Sequence, residues 1–484
     1  MASSTTPRHT TSDLPTPPRP SSFDAHDPPQ REHIDDCVHC GFCLPACPTY
    51  VLWGEEMDSP RGRIYMIKKA ADGEAPLDAR FRLHMDNCLG CMACITACPS
   101  GVEYNKLIEP ARAQIERNTS RPLTDRLFRK LIFATFPRPD RLRRLAGPMR
   151  FYQRSGLRTL VRASGVLKLL PKRLAAMEAL LPDVPQQNPS LSESQSLPHA
   201  ATPRPTEIPK PAKNPKGKKA RKPDPKPQRT VGMLTGCVQQ VFFPHVNAAT
   251  ARVLAAEGFE VVIPPDQPCC GALMLHSGLD DQARALATQM IAAFEAAGVD
   301  TIVINSAGCG STMKEYGYLL RDDPAWAARA AAFSAKCKDV SEILCELEPR
   351  AERHALNLRV AYHDACHLQH AQGVRDQPRR LLAAIPGLEV AEIPESSLCC
   401  GSAGVYNLLE PATAAQLGAR KVENLLTTRA QAVVSSNPGC LLQLSNGMRR
   451  RGLKEMPAFH LVELLDASIR GVSAEELLKQ TASR

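Results

Sequence analysis

Eight of the eighteen cysteines in this chain of 484 residues form two copies of one closely spaced pattern, C-x2-C-x2-C-x3-C. The copies are Cys37, Cys40, Cys43 and Cys47, followed by Pro48, and Cys88, Cys91, Cys94 and Cys98, followed by Pro99. Cysteines in this pattern bind [4Fe–4S] clusters, and the fourth cysteine of each copy ligates the other cluster. Structural zinc sites use two C-x2-C pairs instead. The pattern therefore predicts two [4Fe–4S] clusters.

The crossed ligation divides these cysteines into two ligand sets. Cluster 1 is predicted at Cys37, Cys40, Cys43 and Cys98, and cluster 2 at Cys88, Cys91, Cys94 and Cys47. Two clusters tied in this way lie close together and form a path for electrons. A disulfide scaffold is disfavoured, because such scaffolds belong to short secreted chains and this long chain shows no export signal.

Eight further cysteines fall at matching positions of an internal repeat. The first repeat contains Cys237, Cys269, Cys270 and Cys309, and the second contains Cys366, Cys399, Cys400 and Cys440. Corresponding spacings differ by one residue, and a glycine, Gly271 or Gly401, follows each Cys-Cys pair. This agreement predicts a duplicated domain with one metal site in each repeat or one site shared by both. Cys337 and Cys345 have no counterparts and are predicted to be structural.

Alternating strands and helices would bring these repeat cysteines together. Short β-rich runs are predicted at 230–235, 259–263, 300–305, 358–362, 388–393 and 431–436. A helix is predicted at 279–297 from its stripe of apolar residues. Strand and helix in alternation indicate parallel βαβ units, whose strand ends share one edge of the sheet, where ligands bind. His363 and His367, which flank Cys366, are candidates for hydrogen bonding to cluster sulfur or for ligation.

Composition divides the chain into six parts. We predict a disordered tail at 1–30, a two-cluster domain at 31–115, a basic helical extension at 116–184, a Pro/Lys-rich linker at 185–228, and two α/β repeats at 229–350 and 351–484. No run approaches the ~20 apolar residues that span a bilayer. The net charge of +10 is concentrated in the extension and the linker, so a basic nucleic-acid-binding protein is not indicated.

The extension combines leucines with many arginines. Fourteen Lys/Arg and one Asp lie between Arg126 and Arg173. Three interpretations stay open: a surface for anionic lipid, a dock for a partner subunit, or helices that cover the two-cluster domain. Within that domain, Ser59-Pro60 predicts the start of a helix. Arg61 and Arg63 on this helix are expected to be solvated rather than bound to cluster sulfur.

The motifs together resemble a known group of electron-transfer subunits. The C-terminal half resembles the B subunit of heterodisulfide reductase and the cysteine-rich (CCG) domains of iron–sulfur subunits in lactate utilisation and anaerobic glycerol-3-phosphate dehydrogenase. The N-terminal half is similar to the iron–sulfur subunit of bacterial glycolate oxidase in the segments CVHCGFC (37–43), CPTY (47–50), DSPRGRIY (58–65) and CPSGVEY (98–104).

This resemblance implies a multidomain α + α/β fold, with a helical two-cluster ferredoxin domain followed by two duplicated α/β CCG domains. It also implies an electron-transfer subunit of a flavin-dependent glycolate oxidase (glycolate dehydrogenase) complex. The chain would relay electrons from the oxidation of glycolate to glyoxylate towards a respiratory acceptor, expected to be a quinone. Its location would be cytoplasmic or peripheral on the cytoplasmic face of the inner membrane, with no nucleic-acid partner.

The chain is expected to be inactive alone, and no residue is predicted to be catalytic. It contains no G-x-G-x-x-G fingerprint for flavin or nicotinamide, and removing a hydride needs an organic cofactor. The resemblance therefore implies that FAD belongs to partner subunits. Two alternatives stay open: an iron–sulfur subunit of anaerobic glycerol-3-phosphate or D-lactate dehydrogenase, and an iron–sulfur redox sensor that controls a partner.

The CCG repeats depart from the heterodisulfide reductase pattern, in which the last ligand region reads C-x-x-C. Here Ser306 and Asn437 stand three residues before Cys309 and Cys440. One cysteine is therefore missing from each set. A conventional four-cysteine cluster, a labile cluster and zinc all remain open for these sites.

Overall fold

The computed structural model describes residues 19–184, 229–453 and 456–482. The predicted linker at 185–228 and the first 18 residues of the predicted tail lie outside the described residues. In the described part of the chain, no helix is long and apolar enough to cross a membrane.

The ferredoxin-type domain is helical. Its α-helices are Arg31–Asp35, Pro48–Trp53, Pro60–Ala71, Ala79–Asn87, Ala93–Thr96 and Asn105–Asn118, with a 3₁₀ turn at Glu56–Asp58. The Ser59 hydroxyl accepts a 3.0 Å hydrogen bond from the Gly62 amide, and this cap confirms the predicted start at Pro60. Ile67, Leu107 and Ile108 are buried in the apolar core of this domain, which also contains Phe23 and Ile115.

Residues 19–30, which we predicted to be part of a disordered tail, instead pack on the folded protein. Phe23 is buried against Phe81 in the ferredoxin-type core. The Asp24 carboxylate accepts hydrogen bonds from the side chains of Gln114 and Asn118 at 2.9 and 2.8 Å. The composition of the segment favoured disorder, but an aromatic anchor and acidic residues with matched donors, including Asp27 paired with Arg284 at 2.7 Å, hold it on the folded protein.

The helical extension packs on both repeats. Its helices are Leu123–Thr135, Pro139–Arg154, Leu157–Ala163 and Lys172–Ala179, with a 3₁₀ turn at Val166–Lys168. Ile132 and Phe133 enter the core of the first repeat, and Leu142 packs against Val241 and Phe242. The interpretation that these helices cover the two-cluster domain is therefore wrong for their buried apolar face. Pro148 lies inside a helix and does not interrupt it.

Each repeat contains a four-stranded parallel sheet with helices packed on it. The strands are β1 Arg229–Met233, β2 Phe259–Val262, β3 Thr301–Ile304 and β4 Cys337–Asp339, then β5 Leu358–Tyr362, β6 Leu388–Glu392, β7 Ala432–Ser435 and β8 Ala458–His460. The strand orders are β2-β1-β3-β4 and β6-β5-β7-β8, so the two sheets have the same topology. Six of these strands coincide with the predicted runs, whereas β4 and β8 were not predicted.

Most helices of the two repeats also correspond, although Tyr316–Leu319 and Ala327–Lys336 have no counterparts in the second repeat. The first repeat contains Gln239–Phe242, Pro244–Ala256, Ala272–Leu275, Asp280–Ala296, Ala307–Lys314, Tyr316–Leu319, Ala327–Lys336 and Val340–Cys345. The second contains Asp376–Ala383, Tyr406–Leu409, Pro411–Thr427, Pro438–Arg450, Leu461–Ile469 and Ala474–Ala482, with a π-helical turn at His367–Ala371. Val231, Val360 and Leu461 belong to one continuous core, so the repeats pack on each other as a pair.

Candidate metal centres

The structure brings together the four cysteines predicted for cluster 1. Cys37, Cys40, Cys43 and Cys98 line one cavity of about 30 Å³. Burial raises the pKa of the Cys37 thiol, and the neighbouring Cys98 and Cys40 raise it further. Cys40 is exposed, and Val38 and Phe42 beside it are each 69% exposed. One edge of this site therefore faces solvent and is flanked by apolar side chains.

The four cysteines predicted for cluster 2 lie deeper and are all buried. Burial raises the pKa of Cys94 well above its ordinary value, and Cys91, Cys88 and Cys47 add to the effect. Burial would also raise the pKa of Cys88, but the charges of Arg63 and Arg112 outweigh it and lower that pKa. The donor set fits a cluster because thiolate is the ligand form.

Arg63 is not solvated, contrary to our expectation: it is 1% exposed. Its guanidinium donates hydrogen bonds to the His84 carbonyl at 2.7 Å, the Asp58 carboxylate at 3.0 Å and the Thr49 hydroxyl at 3.2 Å. One terminal nitrogen lies 4.0 Å from Cys47 Sγ. Three fixed acceptors offset its desolvation, as a buried charge requires, so a permanent positive charge stands beside the second cysteine set.

The first repeat gathers its four cysteines at the carboxyl edge of its sheet. Cys237 follows β1, the pair Cys269 and Cys270 follows β2, and Cys309 lies in the helix after β3. Cys237 Sγ lies 3.4 Å from Cys269 Sγ. Donation from Cys237 and Cys270 holds the pKa of Cys269 well below its ordinary value, and Cys270 also contacts Cys309. The four sulfurs thus form one continuous chain.

The second repeat reproduces this chain of thiols in the same order. Cys366 Sγ lies 4.0 Å from Cys399 Sγ, Cys400 contacts both Cys399 and Cys440, and the Asn437 amide donates to Cys440 Sγ at 3.4 Å. Each Cys-Cys pair is followed by a glycine with positive φ, +80° at Gly271 and +89° at Gly401. That conformation is one that only glycine adopts without strain.

His363 is a possible fifth donor in the second repeat. Its ligand nitrogen and the sulfurs of Cys400 and Cys440 lie within 4.8 Å of one another, and its Nδ1 is buried without a hydrogen-bond partner among the described residues. Burial lowers its pKa well below the ordinary value, so the imidazole is neutral and able to bind a metal. Leu234 occupies the corresponding position of the first repeat, and the two sites therefore differ.

His367, in contrast, is committed to other partners. Its Nε2 lies 2.9 Å from the Gly90 carbonyl, and its Nδ1 lies 2.7 Å from the Ser311 hydroxyl. The predicted hydrogen bond from His367 to cluster sulfur is therefore wrong, because both ring nitrogens are used. These contacts instead join the ferredoxin-type domain, the first repeat and the second repeat at one point.

The ferredoxin-type domain meets the second repeat at its cysteines. Cys91 and Cys399 share one apolar cluster with Leu89 and Tyr406, and Cys366 packs against it. Burial raises the pKa of Cys91, and the nearby Cys366 raises it further. The Thr96 hydroxyl and His370 Nδ1, 2.7 Å apart, close the same interface. The second cysteine set and the second-repeat set are thus adjacent.

Two charged residues and one histidine near these sites were not predicted. Arg112 bridges the domains by donating to the His276 carbonyl at 2.7 Å and to the Met85 carbonyl at 3.0 Å. His276 lies 2.9 Å from Glu109. Lys421 is 1% exposed, beside Cys400 and Cys399. A single charged residue on an amphipathic helix carries no sequence signal that separates it from a solvated one.

The remaining two cysteines lie apart from the four sets. Cys337 begins β4 and packs in the apolar core of the first repeat, where burial raises its pKa. Cys345 ends the helix that follows and contacts the Gln377 carbonyl. These positions agree with a structural role.

Three protein families match different segments of the chain. Residues 36–102 match the 4Fe-4S dicluster domain, and residues 231–314 and 360–445 match the cysteine-rich (CCG) domain. Residues 124–181 match the linker region of the glycolate oxidase iron–sulfur subunit. These matches confirm the predicted fold class, with a ferredoxin-type domain followed by two CCG domains.

Curated relatives cover most of the chain. It is 42% identical over 445 residues to the "Probable glycolate oxidase iron-sulfur subunit" of Bacillus subtilis (strain 168), covering 90% of this chain and 95% of the relative. It is 34% identical over 418 residues to the "Glycolate oxidase iron-sulfur subunit" of Escherichia coli (strain K12), covering 85% and 90%. "Lactate utilization protein A" of Geobacillus kaustophilus (strain HTA426) is 31% identical over 238 residues, covering 49% of this chain and 98% of the relative. The resemblance predicted from the sequence is confirmed, and the chain belongs to the family of glycolate oxidase iron–sulfur subunits.

Proposed function

We propose that this chain is the electron relay of a flavin-dependent glycolate oxidase complex. Electrons from reduced flavin on partner subunits would enter cluster 1, held by Cys37, Cys40, Cys43 and Cys98, and pass to cluster 2, held by Cys88, Cys91, Cys94 and Cys47. Iron–sulfur centres held by the CCG cysteines would receive them next, and a respiratory quinone would be the final acceptor. The family and the cysteine chemistry both support this role.

The main support for the proposal is the spatial order of the cysteine sets, in which each set lies next to the following one from the surface to the interior. The exposed Cys40 marks the outer edge, and Cys94 lines the cluster 1 cavity beside Cys98. Cys91 then adjoins Cys366 and Cys399 of the second repeat. Such an order suits single-electron transfer, since each carrier has its neighbour in contact.

The clusters supply the redox chemistry when bound, and the chain's own residues control their surroundings. Arg63 places a fixed positive charge beside Cys47 and Cys88, and this charge helps to lower the pKa of Cys88, which favours its thiolate form. Tyr104 donates to Cys88 Sγ at 3.7 Å, and the Gly90 amide donates to it at 3.3 Å. Hydrogen bonds and net charge of this kind set cluster potentials.

The proposal is tested by stopped-flow reduction under anaerobic conditions. The clusters of the isolated chain should not be bleached by glycolate, because its sequence carries no G-x-G-x-x-G flavin fingerprint, whereas they should bleach in the assembled complex. Rapid bleaching of the isolated chain would contradict the relay. Bleaching of the complex by D-lactate or glycerol-3-phosphate, and not by glycolate, would keep the relay and change the substrate.

We expect the flavin subunit to dock over the exposed edge of cluster 1. Phe42→Glu should weaken this association by roughly 2 kcal/mol, or about 30-fold, because it would bury a charge at an apolar contact. The measurement is the affinity of the flavin subunit for the chain, together with the rate of cluster reduction in the complex.

Phe151→Glu is the matched control, since Phe151 is also 69% exposed but lies on the helical extension. Its affinity for the flavin subunit should equal that of the wild type. Equal losses in both variants would contradict docking at cluster 1.

A further inference from the structure

A cavity of about 440 Å³ lies between the helical extension and the two repeats. Seven of the eight repeat cysteines line its inner side. Its outer side is formed by Leu131, Phe136, Leu142, Leu145, Met149 and Leu180. The cysteines, with the metal centres that they would hold, account for the inner side only, and the opposite wall is an apolar surface of the kind that binds small lipophilic molecules.

The cavity opens where the extension is exposed. Leu131 and Leu145 line the cavity and are nevertheless 51% and 46% exposed, so they flank its mouth. Leu127 and Leu169 on the same extension are also exposed, among the arginines of this segment. Leucines and arginines together on surface helices suit contact with anionic lipid, which would bring the mouth close to a membrane.

The inner end of the cavity offers a polar contact. His276 lines it, with Nδ1 2.9 Å from the Glu109 carboxylate and Nε2 buried without a partner in the described part of the chain. With the proton on Nδ1, which donates to Glu109, Nε2 is left as an acceptor. A ligand hydroxyl is the group that would satisfy it.

A second cavity of about 120 Å³ adjoins His276. It is lined by Glu103, Glu109 and Glu315 and shares His276 and His367 with the apolar cavity. Burial and the neighbouring Glu109 raise the pKa of Glu315 to about 7. Glu315 therefore places a carboxyl group that can exchange protons at neutral pH in a cavity that shares His276 with the apolar cavity.

We propose that the apolar cavity binds an isoprenoid quinone, with its ring near the repeat cysteines and His276 and its tail leaving past Leu131 and Leu145. This site rests on the proposed relay function. The quinone takes two electrons from reduced iron–sulfur centres of the chain and two protons from solvent by way of the second cavity. Both carbonyl oxygens become hydroxyls, one of which donates to His276 Nε2.

The site is tested by photolabelling the purified complex with a short-chain azidobenzoquinone and mapping the labelled peptides. Because the azide is on the quinone ring, label is expected in the segments around His276 and the repeat cysteines, and excess decylbenzoquinone should prevent it. Leu145→Trp and Leu131→Trp should each narrow the mouth and lower labelling roughly tenfold, equivalent to about 1.4 kcal/mol of binding. Leu169→Trp, at a residue 85% exposed and outside the cavity lining, should label as the wild type does.

Three outcomes would overturn the quinone site: label confined to other regions, label on a partner subunit, or competition by phospholipid but not by decylbenzoquinone. Glycolate-dependent reduction of a water-soluble dye by the wild-type complex separates this failure from that of the proposed function. A complex that reduces dye but is labelled elsewhere keeps the relay and loses this site. A complex that reduces no dye loses the relay itself.

Discussion

Cys269→Ser and Cys399→Ser should each remove the metal of its own repeat and lower quinone reduction by the complex by at least about tenfold. Substitutions beside a metal ligand already cost roughly 10–100-fold, and these two cysteines occupy the middle of each chain of thiols. The measurements are metal content per chain and turnover with intact partner subunits.

Cys337→Ser is the matched control, because Cys337 is also buried but lies in an apolar core. Its thiol faces the Phe333 carbonyl at 3.4 Å, so a serine hydroxyl can donate to the same oxygen. Metal content and turnover should stay close to the wild type. Equal losses at Cys269, Cys399 and Cys337 would contradict the duplicated site.

These variants also test the order of the relay. Glycolate should still reduce the two clusters of the ferredoxin-type domain in Cys399→Ser, because that domain keeps its own eight cysteines. The electrons should then remain on these two clusters and should not reach the quinone. If the ferredoxin clusters were lost as well, Cys399 would act through the interface that it shares with Cys91, and the effect could not be assigned to a separate metal site.

The arrangement of the repeats could be predicted because its signals are local. Strands such as β1 and β5 are apolar runs that end just before a cysteine. Because the domain is duplicated, each of these strands could be predicted separately in both repeats. By contrast, β4 and β8 have only three residues each. A run that short has no period to detect, and each strand is fixed by pairing with β3 or β7.

The site was only partly predictable, because its contacts join distant parts of the chain. The sequence neighbours of His367 suggested cluster sulfur as its partner. Its actual partners, Gly90 and Ser311, are 277 and 56 residues away. These contacts form because the ferredoxin-type domain packs on the second repeat, and the spacing of residues in the sequence does not indicate that packing. The cysteine sets could be predicted without knowledge of the domain packing, because their cysteines follow one another at fixed intervals in the sequence.

Arg63 shows the same limit for a charged residue. The local sequence places it on a helix, where arginine is usually solvated. Its burial depends on Thr49 from the preceding helix and on the His84 carbonyl from the following one. Only the assembled domain provides these acceptors, so only the structure identifies the charge beside Cys47.

Arg63→Met is therefore expected to destabilise the ferredoxin-type domain strongly. Removing one partner of a buried ion pair costs about 3–5 kcal/mol, since the other charge is left uncompensated, and here Asp58 would remain at 5% exposure. The cluster beside Cys47 and Cys88 should also become harder to reduce, because a nearby positive charge favours the reduced state. The measurements are the temperature at which cluster absorbance is lost and the midpoint potential from EPR-monitored titration.

Two further variants separate charge from fold. Arg61→Met removes an arginine two residues away that pairs with Glu56 at 2.7 Å and lines the cluster 1 cavity. It should leave the midpoint of the cluster beside Cys47 and Cys88 close to the wild type, because its charge lies beside the other cysteine set, and it should cost only about 0–1 kcal/mol of stability. Arg63→Lys keeps the charge but loses the forked geometry, so it should lose stability while its midpoint stays closer to the wild type. If Arg63→Met and Arg63→Lys shifted the midpoint equally, the charge at this position would not set the potential, and Arg63 would act only by holding Asp58, Thr49 and the His84 carbonyl in place.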